Sequence, residues 1–146
     1  MNSLTIAKHV VFKYVNAGRA IANNRLQMIL YILQGYSLAM NGMALYPNPI
    51  YLWNDGPAIP EAYVKDSAIM DMAEDCYDEV DDNIVLLVNT VVNATMQYSD
   101  DDLIEICMQT LPIQFTKIGF VIDNDKMKYF FQGNDILSIS DKLLMI

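Results

Sequence analysis

Apolar residues recur with helical spacing at the start of the chain. In the segment SLTIAKHVVFKYVN they form a stripe whose members are Leu4, Ala7, Val11, Tyr14 and Val15. Steps of three and four residues place such positions on one face of an α-helix. The pattern predicts an amphipathic first helix that breaks at Gly18, with His9 off the stripe and facing solvent.

A second segment, Asn24 to Asn41, is apolar nearly all round in its middle. A helix without a polar face is typical of the centre of a fold, where other elements cover it. Asn23 is placed to cap its start, and Gly42 is suited to the left-handed stop position. Gly35 costs this helix about 1 kcal/mol relative to Ala, so we expect a close backbone approach there.

Turn-forming residues follow in the stretch ALYPNPIYLWNDGPAIPEAYV, which holds the single Trp of the chain. The run IYLW is strand-like, and the Asn-Asp-Gly-Pro sequence favours a tight turn. Pro60 suits the first turn of a further helix. The stretch predicts a short β-like hairpin or corner around residues 45–60 that carries Trp53 into the core. The alternative is that residues 54–57 form part of a partner-binding rim.

The second half is predicted to be helical as well. IVLLVNTVVNATMQ reads as a buried helix, although its β-branched residues leave a strand as an alternative. Ser99 can cap the next helix, with Asp102 three residues on and Pro112 at its end. The segment KIGFVIDNDKMKYFF reads as strand-like and then helical. Because no repeat or linker divides the chain, residues 1–146 are predicted to form a single compact domain, mainly α.

The formal net charge of −9 is unevenly distributed. From Asp66 through Thr116 there are twelve acidic residues and no Lys or Arg. Affinity for nucleic acids comes chiefly from Lys and Arg, so direct nucleic-acid binding is not expected. The negative potential instead favours a basic protein partner.

Targeting signals and membrane segments are not expected. No apolar run approaches the ~18 residues that a membrane helix needs. The amino-terminal segment carries Lys8 and Lys13 where a signal peptide would be apolar. Cys76 and Cys107 lie far apart in the sequence, which favours reduced, structural thiols in a cytoplasmic protein. The predicted location is cytoplasmic. The sequence is compatible with a monomer and with a homo-oligomer.

The sequence offers little for catalysis. It has one His, and it has neither a glycine-rich phosphate-binding motif nor a nucleophile elbow. The run DNDKMK begins like a calcium loop, but Met127 and Lys128 replace an oxygen ligand and the glycine. Both cysteines lie among acidic residues, which raise a thiol pKa. We expect no enzyme, catalytic residue, cofactor or metal; an enzyme using a carboxylate-bound metal is the least favoured hypothesis.

The acidic block is interpreted either as a merely solvated surface or as a partner-binding acidic face. A docking surface for a basic protein would be one role of this face, and mimicry of nucleic-acid phosphates would be another. The predicted members of the acidic face are Asp71, Glu74, Asp75, Asp78, Glu79, Asp81, Asp82, Asp100, Asp101, Asp102 and Glu105.

The stretch from Asn23 to Val64 resembles the signature region of the Panacea domain, the SocA-like antitoxin family. That family shows a KLQKLLYYAQGW helix followed by a corner with Trp, Gly-Pro, Pro and Tyr. On the helix, the matching residues are Leu26, Gln27, Leu30, Tyr31, Gln34 and Gly35. In the corner, they are Trp53, Gly56, Pro57, Ile59, Pro60 and Tyr63. We interpret these positions as mostly structural, with the two Gln side chains bracing the corner backbone.

The resemblance is looser further along the chain. Relatives commonly carry a Thr-His pair and a Trp where this chain has Ile106, Cys107 and Ile113. The resemblance implies a small, mostly helical, non-enzymatic protein: an antitoxin or proteolytic adaptor that neutralises a partner toxin by direct contact. Because related domains occur in phages, the alternative is a phage-encoded inhibitor of a host defence nuclease, such as an anti-CRISPR, whose acidic surface mimics nucleic acid.

Overall fold

A 19-residue helix, α2 (Asn23–Asn41), forms the centre of the structure. Its side chains are buried almost without interruption from the first turn to Leu38, because helices and the hairpin pack on it from several directions. It ends at Gly42, which adopts a φ of 69° in the left-handed region and donates its N–H to the carbonyl of Leu38. The central, all-round apolar helix and its glycine stop are therefore confirmed.

The computed structural model describes residues 1–75 and 80–143, with only the backbone at position 75. Within these residues the fold is mainly helical, with one small antiparallel hairpin, as the sequence predicts. None of the described helices is long and apolar enough to cross a membrane. The other α-helices are α1 (Ser3–Asn16), α3 (Asp82–Thr95), α4 (Asp100–Met108), α5 (Leu111–Gln114), α6 (Asn124–Gly133) and α7 (Ser140–Leu143). Two 3₁₀ helices span Pro60–Ala62 and Asp66–Asp75.

The first helix has the predicted position but a rotated buried face. Ile6, Val10 and Tyr14 point into the core, whereas Leu4 is half-buried and Val15 is 37% exposed. The predicted stripe is therefore wrong at its two ends. The reason is that α1 packs between the second 3₁₀ helix and α3 as well as against α2, so the surfaces it meets, rather than its own pattern alone, select the face.

The hairpin consists of β1 (Tyr51–Trp53) and β2 (Gly56–Ala58). Its positive-φ turn residue is Gly56, with a φ of 120°. The segment after α5 lies along the free edge of β1, where the N–H of Leu52 donates to the carbonyl of Phe120 at 3.0 Å. The predicted hairpin is found, whereas the later segment, predicted to begin as a strand, forms a turn and makes one isolated β-bridge, between Val121 and Tyr51.

Trp53 is not in the core, and the prediction that the corner buries it is wrong. Residues alternate between the two faces of a strand. Leu52 and its cross-strand partner Pro57 occupy the buried face, so Trp53 falls on the other face and remains 38% exposed. The register of the hairpin thus decides the environment of the single Trp.

Two predictions for the second half of the chain differ from the structure. The strand alternative for IVLLVNTVVNATMQ is wrong, because α3 covers that segment up to Thr95. Ser99 caps α4 as predicted, since its hydroxyl accepts from the N–H of Asp102 at 3.1 Å. Pro112 does not close α4, which ends at Met108; it lies instead in the first turn of α5, where a missing N–H costs no helix hydrogen bond.

The close approach expected at Gly35 occurs between α2 and α6. A Cβ atom at this position would overlap the ring of Phe131, which packs edge-to-face against Tyr31 and Tyr36. Phe131 is 4% exposed, so the missing side chain of Gly35 is what admits an aromatic ring at the centre of the helix pair.

Candidate functional site

The residues of the predicted acidic face do not form one patch. Asp81 and Asp82 begin α3, and Asp81 caps it by accepting from the N–H of Asn83 at 2.8 Å. Asp100 begins the next helix, beyond the opposite end of α3. The 14 residues of α3 span about 21 Å at 1.5 Å per residue. Acidic residues therefore lie at two separate ends of this helix.

Four carboxylates nevertheless come together in one cleft, which we call the acidic cleft. Its volume is about 720 Å³. Two of the four, Asp100 and Asp101, belong to the predicted acidic face; Asp55 and Asp66 do not. The complete lining is Ala22, Asn23, Asn24, Asn54, Asp55, Tyr63, Asp66, Asp100, Asp101, Ile104 and Met108.

Asp66 is held in the cleft by the start of α2. Its Oδ1 accepts from the backbone N–H and from the side-chain amide of Asn23, each at 3.1 Å. The prediction that Asn23 is the N-cap is wrong, because Ala22 is the cap residue and offers no side-chain bond. The first N–H groups of a helix lack intrahelical partners, so a carboxylate from elsewhere in the chain stabilises them. In the sequence, the signal for Asp66 is its position at the start of the acidic block.

Asp100 is positioned by the buried side chain of Arg25. Their salt bridge measures 2.7 Å. The same guanidinium donates to the hydroxyl of Tyr14 at 2.9 Å and to the carbonyls of Thr95 and Tyr98 at 2.6 and 2.8 Å. Burial lowers the pKa of Arg25, but the hydrogen bonds with Tyr14 and Asp100 outweigh burial and hold the pKa above its ordinary value. The cation therefore anchors one wall of the acidic cleft and neutralises part of its charge.

Asp55 and Asp101 contribute further negative charge to the cleft. Both are exposed at the cleft, Asp55 on the hairpin turn and Asp101 in the first turn of α4. The α4 side of the cleft continues with Ile104 and Met108, which lie on the same helical face as Asp101. This wall thus begins with carboxylates and continues with apolar side chains.

An aromatic pair borders the same cleft. Trp53 and Tyr63 contact each other with ring centroids 5.4 Å apart, and Tyr63 is 48% exposed. Trp53 lies next to Asn54 in the chain, so the hairpin places this pair beside the turn that carries Asp55. The alternative interpretation of residues 54–57 as a rim agrees with the position of Asn54 and Asp55 in the lining.

The motif residues on α2 are buried and serve the fold. Gln27 accepts from the N–H of Ile59 at 2.8 Å and donates to the carbonyl of Ala62 at 3.2 Å. Gln34 accepts from the N–H of Leu45 at 2.7 Å and donates to the carbonyl of Tyr46 at 2.8 Å. Each amide therefore satisfies two backbone groups of the segment that leads into or out of the hairpin, as predicted from the need of buried amides for partners.

The other motif positions divide between core and surface. On α2, the buried members are Leu26, Leu30, Tyr31 and Gly35. In the corner, Gly56 and Pro57 are buried and Pro60, at the first position of its 3₁₀ helix, is exposed. The helical part of the motif is thus wholly structural, whereas the corner offers Trp53 and Tyr63 to solvent.

The remaining acidic positions lie outside the cleft lining. Asp71 and Glu74 are exposed on the second 3₁₀ helix, and Asp102 and Glu105 are exposed on α4. Two predicted members, Asp78 and Glu79, are outside the described residues, as is the side chain of Asp75. These four positions provide charge-matched comparisons for the cleft.

Candidate metal ligands and one of the two thiols can be located among the described residues. Within them, no group of three His, Cys, Asp or Glu side chains is placed to hold a metal ion. Burial raises the pKa of the Cys107 thiol to about 12, so burial rather than neighbouring acids keeps it protonated. Cys76 is outside the described residues. Asp123, which begins the calcium-like run, accepts instead from the N–H groups of Asp125 and Lys126 and caps α6.

No protein-family model, curated protein or solved structure matches this chain. The resemblance of residues 23–64 to the Panacea domain accordingly stays a prediction from the sequence motif.

Proposed function

We propose that this protein is a non-enzymatic binding module whose acidic cleft receives a basic segment of a partner protein. The observation that carries the proposal is the convergence of Asp55, Asp66 and Asp101 from three elements that are distant in the chain, the hairpin turn, the second 3₁₀ helix and α4. Asp100 is already paired with Arg25, whereas these three carboxylates form no salt bridge within the described residues.

The composition of the cleft suits an arginine or lysine side chain. Carboxylates accept charge-assisted hydrogen bonds from a guanidinium, often as a bidentate pair. The exposed ring of Tyr63 offers a face for cation–π contact, and the apolar Ile104 and Met108 can cover the methylene stem. A cation that bridged Asp55 and Asp101 would also relieve the repulsion between like charges in the cleft.

The biological role that we propose is that of an antitoxin or adaptor that neutralises a basic toxin by direct contact. The sequence motif supports this role over an inhibitor that mimics nucleic acid. The shape of the cleft supports it too, because a concave site receives a loop or side chain, whereas a phosphate mimic displays its carboxylates on a convex surface. A captured nuclease would nevertheless support the inhibitor role.

Charge reversal in the cleft tests the binding site. We expect the variant Asp55→Lys/Asp101→Lys to lose at least about tenfold in affinity for the captured partner, which corresponds to 1.4 kcal/mol. The matched control is Asp71→Lys/Glu74→Lys, which changes the net charge equally but lies outside the cleft lining. The tagged variants are used to capture partners from a lysate of the source cells, and binding is then measured with the purified partner.

The two variants separate the possible outcomes. Loss in the cleft variant alone supports the acidic cleft, and binding that survives in it refutes the cleft as the site. An equal loss in both variants would mean that only net charge matters. The role is tested by co-expression: an antitoxin restores the growth of cells that the captured protein arrests, and the cleft variant does not.

A further inference from the structure

A second concave surface lies between α5 and α6, and its lining shares no residue with that of the acidic cleft. This groove has a volume of about 820 Å³. Its apolar walls come from Leu111, Pro112 and Phe115 on one side and from Tyr129 and Phe130 on the other. Its polar lining residues are Asp125, Lys126, Gln132, Gly133 and Asn134.

The aromatic residues of the groove are unusually exposed. Tyr129 is 82% exposed and Phe115 is 70% exposed, while Met127 and Phe131 of the same α6 helix are buried against the core. Leu111 is 48% exposed. One face of α6 is apolar and packs on α2. Tyr129 lies on another face of the same helix, and no other part of the described chain covers it.

The exposed apolar area is what one side of a stable interface requires. An aromatic side chain buries roughly 200 Å², so the exposed fractions of Tyr129, Phe115 and Leu111 together amount to about 400 Å². A standard interface buries about 800 Å² per partner, a little over half of it apolar. Patches of this size on a monomer commonly mark an interaction site.

The charges at the groove are balanced, in contrast to the chain as a whole. The net charge is −9, yet the charged residues that line the groove are one acid and one base, Asp125 and Lys126. Neither side chain forms a salt bridge within the described part of the chain. Two copies of so acidic a protein repel each other over most orientations, and the repulsion is least where each presents a neutral, apolar surface.

We propose that the groove between α5 and α6 is a two-fold interface between two copies of this chain. In a two-fold dimer the same surface patch faces itself, so adjacent charges of opposite sign become complementary across the axis. Lys126 of one copy meets Asp125 of the other, and Phe115 of each copy fills the groove beside Tyr129 of the other.

The first test is the mass of the protein in solution. We expect sedimentation to give a mass of about twice 16.6 kDa, falling toward 16.6 kDa on dilution. A series from about 1 to 100 µM is suitable, because interfaces of standard size bind in the micromolar range or tighter. The double variant Phe115→Ser/Tyr129→Ser should remain monomeric throughout this series. A wild-type chain that is monomeric at every concentration overturns the proposal, as does a dimer that persists in the variant.

A charge-swap series distinguishes a specific interface from loss of folding. Asp125→Lys alone and Lys126→Asp alone each place like charges opposite one another, so each should weaken the dimer at least about tenfold. The double swap Asp125→Lys/Lys126→Asp restores opposite charges and should recover most of the affinity. Thermal unfolding of each variant shows that the fold is intact. Failure of the double swap to recover the dimer refutes the two-fold pairing.

Discussion

Arg25 is expected to contribute more to stability than any other charged side chain that the structure describes, so its replacement is the sharpest test of the fold. The change is Arg25→Met, which keeps much of the length of the side chain and removes the guanidinium. It deletes the hydrogen bonds to Tyr14 and to the carbonyls of Thr95 and Tyr98, together with the salt bridge to Asp100.

The loss of stability depends on which hydrogen-bond partners of Arg25 are buried and cannot bond to water instead. Thr95 is fully buried and is the last residue of α3, where a cation also offsets the negative end of the helix dipole. Its carbonyl keeps a hydrogen bond from the N–H of Tyr98, and Tyr98 lies half-buried in the turn that follows the helix. Each buried acceptor that loses a charged donor costs about 1–3 kcal/mol. The bond to Asp100 adds little, because the Asp100 side chain is 58% exposed and water screens the pair. We expect a total loss of about 3–5 kcal/mol.

The matched control is Asp100→Asn, which removes only the charge of the exposed partner of Arg25. We expect it to cost about 1 kcal/mol or less. The free energy of unfolding of both variants is measured by urea titration, followed by circular dichroism and by the fluorescence of Trp53, the only Trp of the chain. If Arg25→Met costs no more than Asp100→Asn, the hydrogen bonds to the end of α3 contribute nothing and the argument is refuted.

Two further predictions concern α2 and α6 and the segment after α6. Gly35→Ala should destabilise the protein by about 1–3 kcal/mol, because the added methyl overlaps the ring of Phe131; Gly133→Ala, which meets nothing within 4 Å, should be neutral or stabilising in the same thermal-unfolding assay. Burial raises the pKa of Asp135, but hydrogen bonds from a tyrosine hydroxyl and from two backbone N–H groups outweigh it and lower the pKa to about 2 from 3.8. The stabilisation by the Asp135 carboxylate is therefore complete above pH 3.8 and is lost as pH falls through about 2. Asp135→Asn should lower the urea midpoint at pH 7. Between pH 3.8 and about 2, the midpoint of the variant should fall less than that of the wild type. An unchanged pH profile in that variant would contradict the assignment.

Local chemistry accounts for the parts of the fold that could be predicted from the sequence. Ser99 caps α4 and Gly42 stops α2 because capping and the left-handed conformation depend on a few adjacent residues. The burial of Gln27 and Gln34 follows from their position on an all-apolar helix, and a buried amide needs partners wherever it lies. These inferences require no knowledge of which elements meet.

The acidic cleft could not be predicted from the sequence. Asp55, Asp66 and Asp101 belong to three elements, and the sequence distances between them carry no information on their separation in space. The sequence indicated an excess of negative charge and a protein with little catalytic chemistry. The packing around α2 decided which carboxylates meet in the cleft and which, like Asp81, lie at the far end of α3.

The sequence by itself thus determined the helical class, the central position of α2, the hairpin and the sign of the surface charge, because periodicity, turn residues and charge are properties of neighbouring positions. Only the tertiary structure decided that Trp53 faces solvent, that Asp66 accepts hydrogen bonds from the start of α2 and that Arg25 joins α1, α2, α3 and the start of α4. The physical reason is that strand register and helix packing select one face of each element through contacts between residues far apart in the chain.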